Sequence, residues 1–299
     1  LEEIACSNCA FEGQVRCGKT AAAAIQAAAA VLYEGENKMP KQEKALLVVS
    51  FGTSHSDTRE KTLDKIEREL AAAFPERRFY RAWTSGRIVK KLWERDGLRI
   101  DTVQEALERM ARDGINDVLV QPTHLLDGIE NHKMRLEIAA FRRRFGAIRI
   151  ASPLLTAEED LQCVAEILDR EFRALPEDTA VLFMGHGTEH CADAVYADLD
   201  SRFRSMGKDF YMATVEGCPT LEDAMGRLAE KKSVRRVLLT PFMIVAGDHA
   251  KNDMAGDTAD SWKNIVARAG YEVTCLARGL GELPEIRALL AEHARHAGG

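Results

Sequence analysis

The sequence predicts an α/β protein of two similar halves, each a parallel sheet layered with helices. Three observations carry that prediction: the length, the apolar pattern and an internal repeat. At 299 residues the chain exceeds the usual size of one hydrophobic core, so two compact units are expected. From residue 45 onward, short continuous apolar runs alternate with stretches of helical periodicity. Continuous rather than alternating apolarity marks strands covered on both faces, the habit of parallel sheets.

The candidate strands span 45–51, 78–82, 118–121, 148–154, 180–184, 210–214, 236–241 and 271–276. Between them, Thr102-Val-Gln-Glu105 and Thr156-Ala-Glu-Glu159 read as capping boxes. Apolar residues follow each at helical spacing, Val103, Ala106, Leu107 and Met110 in one case and Leu161, Val164, Leu168 and Phe172 in the other. Strand and helix therefore alternate, as α/β layers require. The expected division is an extension over 1–43, an N-terminal α/β domain over 44–155 and a C-terminal α/β domain over 156–299. The last helix is free to pack back on the first domain.

The repeat sharpens this. Ser50-Phe51-Gly52-Thr53 resembles Gly185-His186-Gly187-Thr188, 135 residues on. Phe79-Tyr80-x-Ala82-x-x-Ser85-Gly86 resembles Phe210-Tyr211-x-Ala213-x-x-Glu216-Gly217 at an offset of 131, and the segment from Val118 to Gly128 resembles that from Val237 to Gly247 at 119. The order is kept, and loop insertions account for the drift.

Composition narrows the function classes. Hydrophobic residues at 46% and charged residues at 29% exclude a disordered chain and a multi-span membrane protein. A net charge of −6 removes the broad basic face that nucleic acid needs. The first 38 residues stand apart. Cys6, Cys9 and Cys17 precede an Ala-rich run that imitates a signal peptide without a cleavage site, so cytoplasmic location is expected over periplasmic. Three cysteines without a fourth ligand are a poor zinc or iron–sulfur site, and Met39 is a more natural beginning.

In open α/β sheets ligands sit beyond the carboxyl ends of the strands, and the three matched positions fall there. In the second half they hold His186, Glu216 and His249; in the first, Phe51, Ser85 and Glu130. Two imidazoles and a carboxylate suit a divalent first-row metal. The first half has lost that set but keeps the Glu130 acid. Gly185 and Gly187 around His186 allow close approach of a bulky ligand, although a tight turn explains them equally. Arg87, Lys90 and Lys91 are candidates for a cationic rim, or a solvated helix face. His190 is a candidate neighbour of the metal set, His124 and His132 flank the Glu130 segment, and His293 and His296 read as surface residues.

Three stretches then resemble a known family: Ala45-Leu-Leu-Val-Val-Ser-Phe-Gly-Thr-Ser54, Phe183-Met-Gly-His-Gly187 and the long run from Val245-Ala-Gly-Asp-His249 to Trp262-Lys263. They are similar to the anaerobic cobaltochelatases of the CbiK type, over about residues 44 to 298. The resemblance implies the chelatase-like fold, two Rossmann-like α/β domains with parallel sheets facing a central cleft. It also implies insertion of Co2+ into sirohydrochlorin or factor II on the oxygen-independent route to cobalamin. The family's metal ligands fall on His186, Glu216 and His249, and its additional acid on Glu130. A haem-binding exported form has its haem histidine in a segment similar to Gln121-Pro-Thr-His124; non-exported relatives share that residue, so haem is not expected. No cofactor beyond the substrate metal is implied, and a homo-oligomer is expected.

On that reading His186 holds the metal and takes one pyrrole proton, and Glu130 takes the other. Phe51, Gly52, Thr53, Ser54, Ser85, Arg87, Lys90 and His124 line the substrate site, with Asp248, Asp253, Asp257 and Asp260 beside His249 drawing in cations or serving turns. Two alternatives remain: iron insertion giving sirohaem, and a tetrapyrrole or metal carrier without turnover. A histidine phosphatase is disfavoured, because Gly185 stands where an Arg should precede the nucleophile.

Overall fold

Strands form where the continuous apolar runs lie, because a run buried on both faces gains most when helices cover both sides of its sheet. The computed structural model describes residues 43–298. Residues 1–42, with Cys6, Cys9 and Cys17, lie outside the described residues.

In chain order the elements of the first half are β1 (Glu43–Ser50), α1 (Ser56–Lys61), α2 (Leu63–Ala73), β2 (Arg78–Trp83), α3 (Gly86–Asp96), α4 (Val103–Arg112), β3 (Ile115–Pro122), α5 (Ile129–Ala140) and β4 (Ala147–Ile150). They continue with α6 (Glu158–Glu171), β5 (Thr179–Gly185), α7 (Ala194–Ser205), β6 (Phe210–Thr214), α8 (Leu221–Glu230), β7 (Arg236–Pro241), α9 (Trp262–Arg268), β8 (Glu272–Cys275) and α10 (Pro284–Gly298). Two four-stranded parallel sheets result, ordered β2-β1-β3-β4 and β6-β5-β7-β8. The strand order is the same in both, as the repeat predicts.

Each half sends its last helix across. Phe172, at the end of α6, meets Phe183 of β5 edge-on at 5.7 Å, and α10 returns from β8 to pack on β3, β4 and α2. Arg287 of α10 donates to Glu69 of α2 at 2.7 Å. One apolar cluster therefore runs through both halves, from Leu46 and Ile66 to Phe183, Phe242 and Leu290.

Three expectations need correction. The strand expected over 148–154 stops at Ile150, since Pro153 has no N–H with which to continue the ladder; the chain leaves the sheet, and Leu155 forms an isolated bridge to Leu126. The helix expected from Thr156 begins at Glu158, and the carboxylate that satisfies its entry is Asp160, accepting from the amides of Thr156 (3.0 Å) and Ala157 (2.9 Å). His293 is buried rather than at the surface, with Nε2 2.9 Å from Asp160, which fixes α10 to the start of α6. The other capping box, Thr102 with Glu105, forms as expected.

Candidate functional site

The site is built on the loops that leave the carboxyl ends of β1, β2, β3, β5 and β7. In the second half, β5 ends at Gly185, where a Cβ would lie 2.5 Å from the Tyr196 ring. Gly187 has φ +80°, and a Cβ there would lie 2.6 Å from the backbone nitrogen of Gly217. The two glycines therefore let the loop after β5 close on Tyr196 and on the loop after β6.

Backbone bonds hold that closure. Val215 N donates to Gly185 O at 3.1 Å and Glu216 N to His186 O at 2.9 Å, which sets His186 and Glu216 side by side. Asp193 clamps the same loops, accepting from Thr188 N on one oxygen (2.9 Å) and Cys218 N on the other (2.8 Å). The Tyr196 phenol is buried against these loops, and burial pushes it up to about 12. Neither Asp193 nor Tyr196 carries a sequence signal that marks it for this task.

His186 Nδ1 is 2.8 Å from Gly187 O. His249, beyond β7, has Nδ1 2.5 Å from Asp253 Oδ2. A carbonyl and a carboxylate accept, so both imidazoles carry the proton on Nδ1 and leave Nε2 with a free lone pair. Their ring centres are 4.7 Å apart and nearly perpendicular. Glu216 Oε2 is 3.9 Å from His186 Nδ1, on the exposed side. Among the described residues no three His, Cys, Asp or Glu side chains are already gathered at ligand geometry. The second half thus holds a pair of imidazoles with a carboxylate beside His186.

These imidazoles open into a cavity of about 750 Å3 between the halves, within the range of small-molecule sites. Phe51, Gly52, Thr53, Ser54, Ser85, Arg87, His124 and Glu130 line it from the first half, and His186 and His249 from the second. Gly52, at φ +100°, lies against Trp83, where a Cβ would come within 2.5 Å of the indole. Thr53 and Ser54 are buried: the Thr53 hydroxyl accepts from His55 N at 3.2 Å, and Ser54 receives Lys91 on its hydroxyl and Arg95 on its carbonyl. Ser85 Oγ accepts from Ile88 N and caps α3. Glu130, in the first turn of α5, is 3.0 Å from Lys133, which also lines the cavity.

His124 differs from the other histidines. It is 9% exposed, neither ring nitrogen has a hydrogen-bond partner, and burial pushes it down to about 4.

Two expected site residues lie elsewhere. Lys90 is exposed, 3.7 Å from Glu94 one helical turn on, and does not line the cavity; α3 meets the cavity only with its first turn, Gly86, Arg87 and Ile88. Glu216 stands outside the lining as well, beside His186. His132 is exposed on α5, and His190 accepts from Ala192 N instead of supporting His186. The four aspartates near His249 have separate tasks: Asp248 is 2.7 Å from His55, Asp253 bonds His249, Asp257 pairs with Lys263 and Asp260 bonds Thr258.

A family model described as cobalt chelatase (CbiK) matches residues 44–298. The sirohydrochlorin cobaltochelatase of Salmonella typhimurium is 42% identical over 255 residues, covering 85% of this chain and 96% of its own. The sirohydrochlorin cobaltochelatase CbiKC of Nitratidesulfovibrio vulgaris is 30% identical over 250 residues, 83% of this chain and 88% of its own. Among solved structures, SirB from Bacillus subtilis with Fe3+ superposes with a TM-score of 0.61 at 15% identity, over 85% of this chain and 95% of that one. CbiX, described as the terminal enzyme of sirohaem biosynthesis in denitrifying bacteria, gives 0.51 at 16%, over 85% and 99%. The fold is that of these chelatases.

Proposed function

The chain belongs to the cobalt chelatase (CbiK) family, and from that membership and the cavity we propose that it inserts Co2+ into sirohydrochlorin, or factor II, as a step of cobalamin biosynthesis. The observation that carries the site assignment is the pair of imidazoles, His186 and His249, 4.7 Å apart on one wall of a cavity whose opposite wall presents Glu130.

Insertion exchanges one dication for two pyrrole protons, so the site has to hold a metal loosely and accept protons. The free Nε2 atoms of His186 and His249 bind Co2+, and Glu216 swings from the rim to complete the set. Neutral imidazole binds a first-row dication well but exchanges it, which a reaction that surrenders the metal needs. As the macrocycle takes the metal, His186 is freed to accept one pyrrole proton and Glu130 accepts the other from the facing wall.

The substrate is an octacarboxylate, and the first half meets it with cations. Arg87 lines the cavity and, among the described residues, has no carboxylate within ion-pair distance; Lys133 stands beside Glu130. Phe51, 48% exposed, offers an apolar surface to the ring. A cytoplasmic site of action and a homo-oligomer belong to the same proposal, and among the described residues no helix is long and apolar enough to cross a membrane.

The test is anaerobic insertion of Co2+ followed by absorbance, with His186→Ala and His249→Ala beside the native protein. Each variant is expected to lose at least about a hundredfold in kcat/KM, some 3 kcal/mol of transition-state stabilisation. Near-native turnover in both overturns the assignment. Fe2+ in the same assay measures the competing formation of sirohaem.

A further inference from the structure

The segment after β7 does more than supply His249. Its residues 250–254 form a π-helical turn, closed by Ala255 N donating to Ala250 O at 3.3 Å. Such turns are uncommon and recur at functional sites. This one is locked from both ends. Ala250 and Met254 are fully buried in the apolar cluster of the second sheet. Gly256 N donates to Asn252 O, and a Cβ at Gly256 would lie 2.1 Å from that oxygen, so the exit admits no side chain.

In the wider turn, residues four apart lie almost above one another, and this sets Asp253 beneath His249. Its neighbours are engaged elsewhere: Asp248 with His55 at 2.7 Å, and Lys251 with Asp57 at 3.2 Å. Among the described residues Asp253 has no ion-pair partner except His249.

We propose that Asp253 is the positioning residue of the metal site: by accepting the Nδ1 proton of His249 it fixes the tautomer, aims Nε2 into the cavity and makes that nitrogen a better donor to the metal. Carboxylates that hold a ligating imidazole in this way are worth about 10- to 100-fold in metal affinity. The proposal rests on His249 being a ligand.

The test measures Co2+ binding to the purified protein without tetrapyrrole, by equilibrium dialysis and by the visible ligand-field spectrum of bound cobalt. Asp253 is half exposed, so its variants are expected to fold; thermal unfolding checks this. Asp253→Ala is expected to weaken Co2+ binding about 10- to 100-fold and to alter the cobalt spectrum, with the unfolding midpoint unchanged. Asp253→Asn, whose amide oxygen still accepts the bond, recovers most of the affinity. In a His249→Ala background, Asp253→Ala adds nothing further. An Ala variant within twofold of native, an Asn variant no better than Ala, or additive losses in the double variant overturns the proposal. If His249→Ala itself leaves Co2+ binding intact, the metal-site reading fails instead.

Discussion

The two halves share a backbone almost bond for bond and differ in nearly every side chain that faces the cavity. Thr84 N donates to Ser50 O as Val215 N does to Gly185 O; Ser85 N donates to Phe51 O as Glu216 N does to His186 O. The pairs Thr123 N to Val49 O and Phe242 N to Met184 O correspond, as do Leu154 N to His124 O and Leu280 N to Met243 O. By this register Phe51 stands for His186, Ser85 for Glu216, Glu130 for His249 and His124 for Met243. The largest difference in backbone is α3, an added helix between β2 and the capped helix α4, absent between β6 and its counterpart α8. Ser85 is spent capping α3, whereas in the second half Thr220 caps α8 and leaves Glu216 free. The added helix in turn carries Arg87 to the cavity. On the proposed reading, one half is a metal wall and the other a wall for an anionic ring.

The strongest way to break this comparison is to give the second half the residue of the first. His186→Phe is expected to remove Co2+ insertion by at least about a hundredfold, while the shared backbone register keeps the unfolding midpoint within a few degrees. Residual activity above a tenth of native would show that His186 is not a ligand. Arg87→Ala is next: KM for the tetrapyrrole should rise about tenfold with kcat nearly unchanged, and the salt dependence of KM should weaken. A kcat effect without a KM effect would remove Arg87 from substrate binding.

The sequence carries the repeat, hence the paired sheets, because buried parallel strands need apolar runs and loops at the same strand ends. His186 and His249 were legible for the same reason: both sit at repeated positions beside glycines. The drift of the offset from 131 to 119, expected from loop insertions, comes from the helix α3; the helical spacing of Arg87, Lys90 and Lys91 hinted at a helix there but not that the other half lacks it. Lys90 was misplaced because helical spacing names a face without saying how far along it the cavity reaches, and only the first turn of α3 meets it. Asp193 and Tyr196 escaped notice because their roles are contacts between loops distant in sequence. His124 was expected beside the substrate site and does line the cavity, but its burial follows from packing that the sequence does not show.

That burial gives the first half a pH dependence of its own. His124 titrates at about 4 in the folded chain, while an unfolded imidazole titrates near 6.5, at about its ordinary value. The unfolded state therefore binds the proton first. The stability tied to neutral His124 is fully present above pH ~6.5 and is lost as pH falls toward 4, with a limiting slope of about 1.4 kcal/mol per pH unit. Glu67, raised to about 7 by burial, acts in the opposite sense, since its contribution is full below the ordinary carboxylate range and fades as pH rises through 7. His124→Met, the residue of the second half, isolates the first effect. Urea unfolding should show a shallower loss of stability between pH 6.5 and 4 than in the native chain, and parallel curves would contradict the assignment.

The smallest expected effect concerns what joins the halves over the cavity. His55 and Asp57, at the start of α1, reach Asp248 and Lys251 on either side of His249. The Asp248 carboxyl is held below its usual range by the bond from His55. Asp57 and Asp248 are exposed to water and His55 and Lys251 partly so, and such pairs are worth at most about 1 kcal/mol each, so global stability should barely change when they are removed. The local effect is different, because these two contacts tether the His249 segment to the opposite wall while its own anchors lie deeper, at Ala250 and Met254. In the double variant His55→Ala, Asp57→Ala, amide exchange across residues 247–256 should quicken about threefold to fivefold, as a loss of up to 1 kcal/mol in local closing free energy requires. Exchange in β5 and β7 should stay as it is, since those amides open only when the sheet does. If the 247–256 amides exchange at the native rate, the contacts do not hold the two walls together, and the halves meet through their buried cluster alone.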